Sequence, residues 1–273
     1  MKFTALSRGR GFTLLEMLVA VSVFGILMAM LAKMVFSASA VWTHTRTSSD
    51  NLSRARVAMD NLQIDLSKAI LRPDLAAFVD ATGQSTDSNG NAVVAFYAER
   101  PGISYEANQR EIGLVSYTLT SDSAGNPILQ RSVMPVEWGD TSLVRFGETD
   151  RLSQLGKGTT YSQEMAHGVL AWTVKYLASD GTVASTFSAS NTRGVAASLL
   201  VIDDQTCRRL TDGQRRGLAS EFQAEAGKSD ALNSVESLWE RKLDSGAFQT
   251  AHPGLAGSLK VFERTYTLPN SAQ

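Results

Sequence analysis

Two apolar patterns follow one another at the start of the chain. From Phe12 to Phe36 nearly every position is apolar, and no charge falls between Met17 and Ala32. As a helix, Phe12 to Lys33 rises about 31 Å, close to one hydrocarbon thickness. The second pattern is narrower. Leu52, Ala55, Met59, Leu62, Leu66 and Ala69 step by threes and fours, which makes one apolar stripe of an amphipathic helix. Arg54, Asp60, Asp65 and Lys68 fall off that stripe, and Asp50 with Arg54 and Asp65 with Lys68 stand at helical pairing distances. Ser37 to Asp50 contains neither Pro nor Gly, and Pro73 ends the pattern. The spacing predicts one helix from Phe12 to about Leu71, with a membrane half and a half that packs on a head.

The texture then changes to short strand-like runs: Ala92 to Ala98, Leu114 to Thr120, Ile128 to Val133, Val169 to Leu177, Val183 to Ser188 and Ala196 to Ile202. Turn residues at 123–127 and 179–181 join two of the pairs as hairpins. Thr211 to Ala226 and Ala231 to Leu243 read as helices, and Leu259 to Leu268 as a last strand. The expected fold class is α+β: a long N-terminal helix packed on an antiparallel β-sheet head, with a late helical insertion. Four segments follow from this: 1–11 as a basic leader, 12–36 as the membrane-spanning part, 37–72 as the amphipathic half and 73–273 as the head.

Lys2, Arg8 and Arg10, with no acid among residues 1–11, hold that end in the cytoplasm and send the head to the far side of the membrane. A secretory signal peptide is a rival reading, and Ala38-Ser39-Ala40 offers it small residues for cleavage. The apolar run is too long for a signal core, however, and Glu16 lies inside its first turns. A carboxylate there is costly unless it is paired.

Gly11-Phe12-Thr13-Leu14-Leu15-Glu16 resembles the cleavage and methylation motif of type IV pilin-like prepilins. The resemblance covers about the first thirty residues. It implies that a prepilin peptidase cuts after Gly11, that Phe12 becomes the methylated N-terminus, and that Glu16 is the family's signature acid. It also implies assembly: Glu16 of one subunit meets the terminal amine on Phe12 of the next, a charge pair that sets register in a low-dielectric bundle. The implied partners are other pilins or pseudopilins, the peptidase and an inner-membrane assembly platform. The implied location is the bacterial inner membrane, single pass, with a periplasmic head. The layout around Leu62 to Pro73, followed by a long sheet-rich head, is similar to the J-type minor pseudopilin of type II secretion. It is also similar to the prepilin-type Verru_Chthon cassette protein C.

The remaining chemistry is sparse. With 273 residues and 43% hydrophobic composition, a packed core is within reach. The formal net charge of -1 and the lack of a basic patch with interleaved aromatics argue against nucleic acid. Cys207 stands alone and reads as a small buried apolar residue. His44, His167 and His252 form no metal-binding pair, and no GxSxG elbow is present. Asp87 to Asn91 begins like a calcium loop but has Ala92 and Ala98 where Gly and Glu belong, so it reads as a solvated loop tip. Arg208, Arg209, Arg215 and Arg216 form one basic cluster, balanced by Asp203, Asp204 and Asp212. Trp172 reads as core, and Trp42 lies just past the membrane exit. No catalytic residue, metal or cofactor is expected. Three functions stay open: a pseudopilus subunit, a minor pilin of a surface pilus, and a membrane-tethered enzyme or receptor.

Overall fold

The computed structural model describes residues 13–70, 79–80, 93–99, 102, 109–137, 161–185, 187–188, 191–230, 232 and 234–268, with backbone only at 40–51, 79–80, 93, 109–110 and 136–137. Helix α1 spans Leu14–Ser67. The chain divides into two compact units, Met1–Arg46 and Thr47–Gln273. The first contains the apolar half of α1 and the second the amphipathic half with the head.

In the second unit the predicted stripe is the buried face of α1. Ala55, Met59, Leu62 and Leu66 are buried, joined by Ala58, while Leu52 and Ala69 are half-buried. Asp65 corrects the sequence reading. It lies in the core rather than off the stripe, at 3% exposure. The helix also stops before the expected Leu71. After Ser67 the backbone is captured by a strand: the Ile70 N–H donates to the Tyr97 carbonyl at 2.8 Å and the Glu99 N–H to the Lys68 carbonyl at 3.0 Å. Chain groups paired this way are no longer available to the helical ladder.

Among the described residues the head has two antiparallel sheets, where one was expected. The first has the order β1 (Val79–Asp80), β2 (Val93–Glu99), β3 (Gln109–Ser121), β4 (Pro127–Glu137), β5 (Tyr161–His167). The second has the order β7 (Val183–Ala184), β6 (Val169–Ala178), β8 (Thr192–Ile202), β9 (Leu259–Thr267). Strand β7 is much shorter than the predicted Val183 to Ser188, and β5 was not predicted. The switch between sheets falls on Gly168, at φ 68°. Its N–H donates to the Pro127 carbonyl at the start of β4, and its carbonyl accepts from Ile202 at the end of β8, both at 2.8 Å. Only a residue free to take positive φ makes this corner without strain.

Between β8 and β9 the described residues form four α-helices, α2 (Asp204–Arg209), α3 (Asp212–Ala226), α4 (Val235–Asp244) and α5 (Gly246–Ala251), and a short 3-10 turn at Ala256–Ser258. Thr211 starts α3 with a capping box shared with Gln214, and Ser234 and Ser245 cap α4 and α5. The second sheet is covered on both faces. Val195, Ala197, Leu199 and Val201 of β8 enter one cluster with α1 and the first sheet, while Leu200 and Ile202 enter another with Leu218, Phe222 and Trp239. That alternation is the two-residue period of a strand. Strands buried on both faces read as continuous apolar runs, and β6 and β8 do so. A long N-terminal helix with antiparallel sheets is a pilin-like α+β arrangement.

Candidate functional site

The N-terminal segment begins at a helix cap. The Glu16 N–H donates to Thr13 Oγ1 at 3.2 Å and the Met17 N–H to the Thr13 carbonyl at 3.2 Å. Thr13 is thus the N-cap of α1 and Glu16 its third residue, the spacing of a capping box. Thr13-Leu14-Leu15-Glu16 carries this capping signature in the sequence itself, inside the longer motif. The cap fixes where the helix starts and so where the Glu16 carboxylate emerges, in the first turn, where the helix dipole favours an anion.

From Leu14 to Ser39 α1 is long and apolar enough to cross a membrane, and none of it is buried. Leu14, Phe24 and Phe36 are all well exposed. A large uncovered apolar surface marks a place where lipid or another chain belongs. Glu16 sits within this surface. Its carboxylate is exposed and makes no hydrogen bond or ion pair among the described residues. In an apolar setting such an acid requires a cation brought from elsewhere. Gly11 and Phe12 lie outside the described residues.

Residues 6–32 match the family described as the prokaryotic N-terminal methylation motif. The chain carries a prepilin-type N-terminus. The match spans Gly11, Phe12 and Glu16 and most of the apolar stretch of α1. A comparison with proteins of established function finds no match to the chain. The matched segment supports a type IV pilin-like, prepilin-processed character for the N-terminal part of the chain. It points to a structural subunit that assembles with other pilins. A single apolar helix beside this motif fits a membrane-anchored protein.

The head of this prepilin-type chain gathers its charge chemistry into structural pairs. Arg131 on β4 holds Asp65 of α1 through Nε at 2.7 Å and Nη2 at 2.8 Å, and Tyr117 Oη on β3 donates to Asp65 Oδ2 at 2.6 Å. Burial first, and then the Asp65 charge, push the Tyr117 phenol well above its usual range. This cluster ties α1 to the first sheet. Sequence reading missed it because Arg131 lies 66 residues from Asp65, while Lys68 offered a local partner.

The histidines stay apart. His167 lies 3.5 Å from Glu164 and His252 3.6 Å from Glu221. No group of three or more His, Cys, Asp or Glu side chains able to hold a metal occurs among the described residues. His44, Trp42 and Trp138 as side chains, and the whole of Asp87 to Asn91, lie outside them. Trp172 is core, as expected, and so is Trp239, whose Nε1 donates to the Phe222 carbonyl at 2.6 Å. Cys207 is buried, and that burial raises its thiol pKa. In the basic cluster Arg215 pairs with Asp212, and its Nη1 donates to the Cys207 carbonyl at 3.2 Å.

Proposed function

We propose that the chain is a minor pseudopilin, a structural subunit of a type II secretion-like pseudopilus or of its tip. A prepilin peptidase removes residues 1–11 by cutting after Gly11, and Phe12 becomes the methylated N-terminus. Residues 12–36 then serve as membrane anchor and filament core, 37–72 as the amphipathic half of the helix and 73–273 as the periplasmic head. Lys2, Arg8 and Arg10 keep the leader on the cytoplasmic side. The partners are neighbouring pilins or pseudopilins, the peptidase and an inner-membrane assembly platform.

The observation that carries this reading is Glu16. It is a carboxylate without a partner among the described residues, displayed on an apolar helix that nothing covers. The amine that cleavage creates on Phe12 of a neighbouring subunit supplies the missing cation. A charge pair in a low-dielectric bundle orients its two members strongly, because each is penalised when left alone. The large head and its layout after α1 support the pseudopilus over a surface pilus, through their similarity to the J-type subunit.

The experiment is cysteine cross-linking to partner pilins in the native membrane, with wild type, Glu16→Asp and Glu16→Leu at matched expression. Glu16→Leu should insert and be cleaved yet fail to incorporate, and Glu16→Asp should fall between, since it keeps the charge but shortens its reach. Equal cross-linking by all three removes Glu16 from assembly.

A further inference from the structure

A cleft of ≈ 300 Å³ opens on the head where the β3–β4 hairpin, the start of β6 and helix α3 meet. This is the lower end of the volume range of small-ligand sites. Leu119 of β3 and Leu170 of β6, both nearly fully buried, form an apolar floor. Arg215, Arg216 and Ser220 of α3 line one wall and Thr120 of β3 contributes to the other.

The two arginines differ. Arg215 is committed, with Asp212 on one nitrogen and the Cys207 carbonyl on another. Its charge is therefore already matched. Arg216 is exposed and makes no ion pair or hydrogen bond among the described residues. Ser220 follows one turn later on the same helix, so its hydroxyl shares the face of Arg216. The Thr120 and Ser220 hydroxyls likewise have no hydrogen-bond partner among the described residues. The cleft thus offers the Arg216 guanidinium, which makes no direct ion pair but lies within electrostatic reach of the Asp212 carboxylate on the rim, two hydroxyls and an apolar floor.

We propose that this cleft binds a segment of a partner protein in which a glutamate or aspartate stands beside an apolar side chain. A guanidinium takes one carboxylate by two parallel hydrogen bonds, and the hydroxyls on either wall complete its shell. The adjacent apolar side chain covers Leu119 and Leu170. A polyanion is a poorer match. Nucleic acid gains its affinity from many phosphate contacts to lysine and arginine, and here the cations are few and stand near the Asp212 carboxylate.

The test uses the full chain in detergent micelles and fluorescence anisotropy. The probes are a short fluorescein-labelled, amide-capped peptide of alternating leucine and glutamate, and its leucine–glutamine counterpart. The glutamate peptide should bind about tenfold tighter or better, the margin of one charge-assisted contact. Arg216→Gln should remove that margin while leaving the melting temperature unchanged, because the side chain is exposed and unpaired. Arg216→Lys should retain part of it. Ser220→Trp, which fills the cleft, should abolish binding of both peptides. Arg209→Gln, an equal loss of charge away from the cleft, should change nothing. Equal binding of the two peptides, or a preference that survives both Arg216→Gln and Ser220→Trp, overturns the assignment. So does a single-stranded oligonucleotide that displaces the peptide and loses its own binding in Arg216→Gln. None of these readouts depends on cleavage after Gly11 or on filament incorporation.

Discussion

Arg131 on β4 grips both carboxylate oxygens of Asp65 on α1, at 2.7 and 2.8 Å, in a site where Asp65 is 3% exposed. The pair joins the helix to the first sheet across the apolar core that Met59, Leu62 and Leu66 share with Phe96, Val115 and Leu129. Desolvating two charges is costly, and their attraction together with the Tyr117 hydroxyl offsets that cost. The asymmetry matters more than the net value: removing one partner leaves the other charged and buried.

Arg131→Leu should therefore destabilise the head by about 3–5 kcal/mol. Asp65→Leu combined with Arg131→Met should cost much less, since no unpaired charge remains. Tyr117→Phe should cost about 1 kcal/mol, the usual net worth of one hydrogen bond. Urea denaturation of the full chain in detergent, followed by tryptophan fluorescence, measures all three. A double variant no more stable than Arg131→Leu would contradict the pairing.

Alkaline pH should weaken the head. Tyr117 and Tyr266 both have phenols raised above the ordinary value, in each case mainly by burial. Tyr266 Oη donates to the Met59 carbonyl at 2.9 Å and needs its proton to do so. Below about pH 10 both tyrosines are neutral whether the chain is folded or not, so they add no pH dependence. Above it the unfolded chain ionises while the fold holds its protons, and stability falls as pH rises. Melting temperatures between about pH 9 and 11 should decline, and Tyr117→Phe with Tyr266→Phe should flatten the decline while lowering stability near neutrality.

Cys207 should be inert in the folded protein. It is 1% exposed, and burial, outweighing the Arg215 hydrogen bond, raises its thiol pKa. The thiolate is the reactive form. Maleimide labelling should be slow in native conditions and fast in denaturant. Equal rates in both would place Cys207 on a mobile or open part of the head.

The helical stripe was legible because its signal is local: four core positions of α1 recur at three- and four-residue spacing, and a period of 3.6 requires them on one face. Asp65 was not, since its place inside depends on Arg131, and no local rule reports a partner from another strand. The late strands β6 and β8 showed as apolar runs because both their faces are covered. Strand β5 did not, because Tyr161, Ser162, Gln163 and Glu164 are all exposed and present no alternation to read. Division into two sheets rests on the corner at Gly168, whose two backbone bonds reach β4 and β8. The prepilin-type motif was the clearest signal of all, because it is written in the order of residues Gly11 to Glu16 and needs no tertiary contact to be read.

Mass spectrometry of the intact protein, extracted from its native membrane, reads out processing after Gly11. The mature chain should lack residues 1–11 and start at Phe12 with one methyl group on its amine. Replacing Gly11 with a bulky residue should leave the leader in place, since the side chain obstructs the scissile bond. A wild-type chain that still starts at Met1, or one that starts after Ala40 as a signal peptidase would leave it, would mean that this protein is not processed as a prepilin.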